Sequence, residues 1–131
     1  MPRIKLLKKN FTDKRGTIID VFVNSPKDHC LVVTFAKGAV RGNHFHKKST
    51  QFTFILSGEL DFYFATINKK NGKIKKIKKK TVKKNTFITH KPYEAHAFRS
   101  KTKSTIIAFS CGLRGGNNYE KDTFRLKKKL I

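Results

Sequence analysis

The segment Gly38–Gly58 (GAVRGNHFHKKSTQFTFILSG) gathers the side chains of this chain best suited to chemistry. His44 and His46 are two residues apart, so on a strand both imidazoles point to one side while Phe45 faces the other. Gln51 opens the next apolar run and can fold back beside them. Further on, Pro92-Tyr93-Glu94-Ala95-His96 places another histidine at a strand start behind a turn. Taken singly, a histidine is more often a polar filler or a surface residue than a ligand. Four polar groups converging inside a β-barrel are a different matter, because that interior is otherwise apolar and penalises unpartnered polar atoms. Two chemistries suit them. A neutral imidazole titrates near working pH, so it can take a proton from beside a carbonyl and return it elsewhere, as isomerisation or epimerisation requires. Surrounding cationic charge favours that neutral form. Alternatively, His44, His46, Gln51 and His96 offer three ring nitrogens and one amide oxygen to a divalent ion (Zn, Fe, Mn or Ni), with positions left for substrate or water. Lacking a carboxylate, such a set would leave the ion its full Lewis acidity and hold it less tightly. Arg41 adds forked donors for a phosphate or sugar oxygen.

The elements that must position these residues are short strands. Gly16–Val23 (GTIIDVFV) and His29–Ala36 (HCLVVTFA) are rich in β-branched residues, with Asn24-Ser25-Pro26 between them as a turn. Gln51–Leu56 and Leu60–Ile67 alternate, and Ser57-Gly58-Glu59 reads as a hairpin connection. On them Phe52 and Phe54 share one face, as do Phe62 and Phe64, and both pairs read as barrel core. Asn71-Gly72 marks a second hairpin from which Ile74–Val82 returns; Thr86–His90, Ala95–Arg99 and Ser104–Cys111 are further strands. Gly112–Asn118 (GLRGGNN) then breaks the sheet. Many short strands with Gly-rich turns predict a sandwich or small barrel.

At 131 residues the chain makes one domain, and 37% hydrophobic residues with twelve Phe suffice for its core. The longest apolar stretch, about Cys30–Ala36, is far too short to span a bilayer, and Met1–Asn10 lacks the apolar centre of a secretory signal. Cys30 and Cys111, in apolar runs, suit buried thiols of a reducing cytoplasm. The net charge of +23 attracts polyanions and phosphorylated ligands. Yet only six of the 31 basic residues are Arg, the better side chain for forked phosphate and guanine contacts, so nucleic acid is disfavoured as a partner. Ten Lys fall within Asn68–Lys84, either as a polyanion-binding finger or as protection for an exposed edge strand; the second reading is favoured.

The spacing of Gly38, His44, His46, Gln51 and Gly58 resembles the first cupin motif, G-x5-H-x-H-x4-E-x6-G, with Gln51 in place of the glutamate. Asn85–Ser100 resembles the second, keeping Pro92 and His96 without its glycines. The resemblance implies an all-β fold: a single cupin domain over 1–131, a double-stranded β-helix or jelly roll, its barrel at about 29–111 and a polar C-terminal tail over 112–131. Asp13-Lys14-Arg15-Gly16 and Arg41-Gly42-Asn43-His44 resemble elements of dTDP-4-dehydrorhamnose 3,5-epimerases and of capsular polysaccharide synthesis cupin domains. The run Arg41–Lys48 (RGNHFHKK), Gln51 and the tail Tyr119-Glu120-Lys121-Asp122 before Arg125 resemble the dTDP-sugar 3,4-ketoisomerases more closely. A second His at position 46 argues against the 3,5-epimerase reaction. By this resemblance His44 and His46 are the catalytic proton-transfer pair. It implies too that Arg41 and Lys47 bind an anionic nucleotide sugar, that no cofactor is required, and that the protein forms a homodimer.

Two other classes stay open. One is a metal-dependent cupin, a dioxygenase or lyase, using His44, His46, Gln51 and His96. The other is a non-catalytic module binding sugar or nucleic acid through the Phe pairs amid lysines.

Overall fold

The computed structural model describes residues 1–112 and 121–131, and every regular element among them is a β-strand. In chain order these are β1 (Arg3–Leu6), β2 (Phe11–Asp13), β3 (Gly16–Ile18), β4 (His29–Phe35), β5 (Val40–Phe45), β6 (Thr50–Ser57), β7 (Glu59–Thr66), β8 (Lys78–Lys83), β9 (Thr86–His90), β10 (Glu94–Ser100), β11 (Ser104–Cys111) and β12 (Phe124–Arg125). Two antiparallel five-stranded sheets, ordered β1-β9-β6-β11-β4 and β12-β5-β10-β7-β8, face each other, and β2-β3 forms a separate ribbon. This is the jelly-roll arrangement of a cupin.

Alternation along the strands builds one core from both inner faces. Phe35, Ile55, Ile88 and Ile106 come from the first sheet; Leu60, Phe62, Phe64, Val82 and Phe98 come from the second. Phe62 stacks on Phe64 at 5.0 Å and on Phe98 at 4.9 Å. A second cluster of Ala65, Ile67, Ala95, Ala97 and Leu130 covers the outer face of the second sheet.

Several expectations change. Ser57-Gly58-Glu59 is not a hairpin, because β6 and β7 belong to different sheets. Gly58 turns the chain between them at φ +89°, where a Cβ would collide with Ser104. Phe52 and Phe54 lie on the outer face of the first sheet, since Gln51, Thr53 and Ile55 take the inner positions. Strand β6 buries residues on both faces, so alternation alone does not say which is inside. The cover is Phe22, packed edge-on against Phe52, Phe87 and Phe109 at 4.6–5.6 Å. Accordingly the expected strand over Gly16–Val23 stops at Ile18.

Cys30 is exposed rather than buried, on the outward parity of edge strand β4; Cys111 is half-buried, and both are free thiols. Nor is the tail merely polar: β12 pairs with β5, while Asp122 and Leu130 are buried. The expected break over Gly112–Asn118 lies, beyond Gly112, outside the described residues. Among the described residues no helix is long and apolar enough to cross a membrane.

Candidate active site

One end of the sandwich is polar, and strand register puts it together. Across the first sheet His29, Ser110, Gln51 and His90 are successive cross-strand partners. Opposite them, Arg125, His44, His96 and Phe64 are successive partners across the second sheet. Cross-strand partners share a face, so both rows aim into the gap between the sheets.

Arg41 and His44 are three residues apart, a spacing that would send them to opposite faces of a regular strand. Yet Arg41 pairs with Phe98 and His44 with His96, because the register shifts between His96 and Ala97. The extra residue is Asn43, at φ +57°, preceded by Gly42 at φ +103°. A Cβ on Gly42 would stand 2.7 Å from the His96 carbonyl oxygen, so this bulge requires glycine. Asn43 in turn holds the C-terminal segment, its side-chain oxygen accepting from the Leu130 and Ile131 N–H at 2.8 and 3.3 Å.

The result is a cavity of about 410 Å³ whose wall includes Arg41, His44, Gln51, His96, Thr123 and Arg125, with Val33, Phe35, Phe98 and Ile106 as apolar flank. The size suits a small ligand. None of the described residues lining it is acidic. Of the expected inward set, His44, Gln51 and His96 line this cavity, and Arg41 lines it with them. Lys47 does not line the cavity; its ammonium sits 4.1 Å above the Phe124 ring. His46 is buried behind the wall, 5.1 Å from His44 between ring centres.

The buried groups form a chain. His46 Nδ1 donates to the Asp122 carbonyl at 2.8 Å, because a carbonyl can only accept. Its Nε2 lies 3.2 Å from Gln51 Oε1. Gln51 Nε2 donates to Thr53 Oγ1 at 3.1 Å, which lies 2.9 Å from His90 Nε2. The His96 ring lies tilted 4.5 Å from that of His90 between centres and donates from Nδ1 to the Glu94 carbonyl at 3.3 Å. Burial first, and then the charges of His90, His44 and His46, push its pKa well below the ordinary imidazole value, so His96 is neutral.

Sequence reasoning missed His90, Arg125, Thr123, Asp122 and Thr53. His90 was within reach, since alternation in Thr86–His90 puts it on the same face as Ile88. Asp122 and Arg125 carried no signal beyond the tail resemblance, of which Tyr119 and Glu120 lie outside the described residues.

A sequence-family model described as a polysaccharide biosynthesis C-terminal domain matches residues 11–123. No curated protein sequence matches the chain. Solved structures do. A dTDP-4-dehydrorhamnose 3,5-epimerase from Sulfolobus tokodaii superposes with a TM-score of 0.74 at 20% identity, covering 88% of this chain and 72% of that one. A sugar 3,4-ketoisomerase from Thermoanaerobacterium thermosaccharolyticum, in complex with TDP, gives 0.75 at 16% identity over 96% and 88%. A 3,4-ketoisomerase from Helicobacter canadensis gives 0.76 at 15% identity over 95% and 90%. At these identities what is shared is the fold.

Proposed function

The chain belongs to the polysaccharide biosynthesis C-terminal domain family, and from that premise we propose that it is a cytoplasmic isomerase or epimerase of a nucleotide-linked 4-keto sugar. One observation carries the proposal: a single cavity is lined by His44, Arg41 and Arg125 together, with no acidic group on its described wall. Two guanidinium groups suit the diphosphate of a sugar nucleotide. An imidazole on the same wall suits proton removal beside the sugar's carbonyl. His44 takes the proton from the carbon next to the keto group, whose electrons shift onto the carbonyl oxygen. Removal of that proton leaves an enediolate. When the proton of the adjacent hydroxyl moves to the former carbonyl oxygen and a proton returns to the former carbonyl carbon, the keto group has shifted and the sugar is isomerised. Return of a proton to the original carbon from the opposite face instead epimerises it. His46, second of the expected pair, acts from behind the wall. The leading reading requires no cofactor.

Incubation with a thymidine-diphosphate-linked 4-keto-6-deoxy sugar in deuterated water tests this. Deuterium should appear at a carbon beside the keto group. No exchange with any of several 4-keto sugar nucleotides would end the proposal.

A second reading rests on the acceptors. The ligand atoms of His44, His46 and His96 lie within 4.8 Å of one another, and His46 and His96 each turn Nδ1 to a main-chain carbonyl. Ring nitrogens held that way are typical of metal-binding histidines. With Gln51 they would hold a divalent ion, which supplies Lewis acidity when bound. Metal analysis after chelator-free purification separates the readings, because only this one predicts activity lost to a chelator and restored by added ion.

We also propose a homodimer. It is supported by the exposed Val32 on edge strand β4 and by Phe11 and Ile18 on the β2–β3 ribbon. A protomer mass by light scattering at micromolar concentration would count against it.

A further inference from the structure

Asp122 stands far from the histidines in sequence, yet it binds every residue of the turn that follows His46. Its Oδ1 accepts from the Lys47 N–H at 3.0 Å and the Lys48 N–H at 3.2 Å. Its Oδ2 accepts from the Lys48 N–H at 3.0 Å, and from the N–H and hydroxyl of Ser49, both at 2.7 Å. The same residue's carbonyl accepts from His46 Nδ1 at 2.8 Å. Only 3% of Asp122 is exposed, and Ser49 is equally buried at 1%. Burial alone would raise the carboxyl's pKa; the hydrogen bonds from Ser49, Lys47 and Lys48 outweigh it and hold the group below its ordinary value.

Two residues beyond this contact begins β12, whose Arg125 pairs with His44 on the cavity wall. We infer that Asp122 is a positioning residue: its carboxylate latches the C-terminal segment to the turn after His46, fixing that ring's tautomer and seating Arg125 in one stroke. The reasoning is geometric. A carboxylate can accept from three consecutive N–H groups at once, as an anion does in a nest of backbone donors. An amide cannot, because its NH2 would point at other donors. With the latch gone, the carbonyl that selects the His46 tautomer has nothing to hold it in place. The link to turnover rests on the sugar-nucleotide reading; the link to the His46 ring does not.

Asp122→Asn therefore tests the latch, since it keeps both the shape and the main-chain carbonyl. In the unaltered protein, nitrogen-15 NMR of the histidine rings should find His46 as a single tautomer with its proton on Nδ1. Asp122→Asn should give a mixture. Loss of an outer orienting partner typically costs about tenfold to a hundredfold in activity. That loss should fall on kcat for deuterium exchange more than on KM. Ser49→Ala, which removes one of the carboxylate's five contacts, should move the tautomer balance in the same direction by less, and it serves if Asp122→Asn does not fold. A single unchanged tautomer in either folded variant overturns the inference. A shifted tautomer in a protein that exchanges no 4-keto sugar would uphold the latch and refute the substrate.

Discussion

The histidine end of the sandwich and its lysine-laden edge are both rich in nitrogen, and they are built in opposite ways. At the histidine end the inner groups are buried and directed by a partner: His46 by Asp122, Gln51 by Thr53, Thr53 by His90. At the edge, Asn68–Lys84 carries ten Lys that stand in solvent. Among them Lys79 reaches Asp61 at 3.5 Å and lies above Tyr63, and Lys69 lies above Tyr93. Exposed ion pairs contribute little, whereas a buried polar group left without its partner costs about 1–3 kcal/mol. Charge density alone therefore does not mark the site. Four histidines in two facing rows say more about this molecule than a net charge of +23.

The largest difference between the regions should appear in chemistry. His44→Asn leaves a side chain that cannot accept a proton near neutral pH, and positioned bases contribute roughly a hundredfold to ten-thousandfold. Deuterium exchange should fall by that range while sugar-nucleotide binding through Arg41 and Arg125 survives. Exchange that persists without both His44 and His46 would remove proton transfer from the histidine end. Next in size is Gly42→Ala. Its positive φ and the 2.7 Å approach to the His96 carbonyl oxygen leave no room for a methyl group, so about 1–3 kcal/mol of stability should be lost. Arg41 and His44 should then no longer share a face, and activity should fall with stability. An active, fully stable Gly42→Ala protein would mean that the bulge is not what aligns them.

Much of this end was legible in the sequence. The H-x-H spacing, Gln51 and the later His96 follow from alternation and motif spacing, and the strands Thr86–His90 and Ser104–Cys111 fall where composition puts them. What escaped has physical causes. A one-residue bulge at Asn43 is invisible to a period-two pattern, although Gly42-Asn43 is the kind of pair that tolerates positive φ. Phe52 and Phe54 read as core because both faces of β6 are covered, one by the opposite sheet and one by Phe22. Asp122 reaches its partners across some 73–75 residues, a separation no local pattern reports.

A smaller effect distinguishes buried from exposed nitrogen by pH. The folded protein keeps His96 neutral, while the unfolded chain binds a proton there near the ordinary value of 6.5. Below that pH the unfolded state therefore binds more protons, and stability should fall as pH drops and level off above it. His96→Gln should flatten that slope in chelator-treated protein. Asp122 works in a lower window: its carboxyl is held below 3.8, so its contribution is present above that value and is lost as pH falls further. Thermal unfolding between about pH 7 and about pH 5 isolates the histidine effect. No slope there in the unaltered protein would mean that His96 protonates where it stands.

The smallest effects belong to the lysines, and their pattern tests why they are there. Strand β8 is the outer strand of its sheet, and of its six residues only Val82 is buried. Lys78 and Lys80 share the parity of Val82, opposite Phe64 and Phe62, so they put charge where the core face would otherwise continue to the edge. Charges placed that way stop a second molecule from adding a strand. Lys78→Gln with Lys80→Gln should alter stability by no more than about 0.5 kcal/mol per site. Lys78→Val with Lys80→Val should fold equally well yet self-associate with rising concentration, since an apolar edge with unpaired backbone groups is a template for pairing. Binding to a polyanion gives the opposite signature. Reversing Lys75, Lys76 and Lys83 to Glu would then weaken nucleic-acid binding and flatten its dependence on salt. If the valine variant associates no further than the unaltered protein and the glutamate variant loses salt-dependent binding, the lysine edge is a binding surface after all, and its contrast with the histidine end becomes one between two sites.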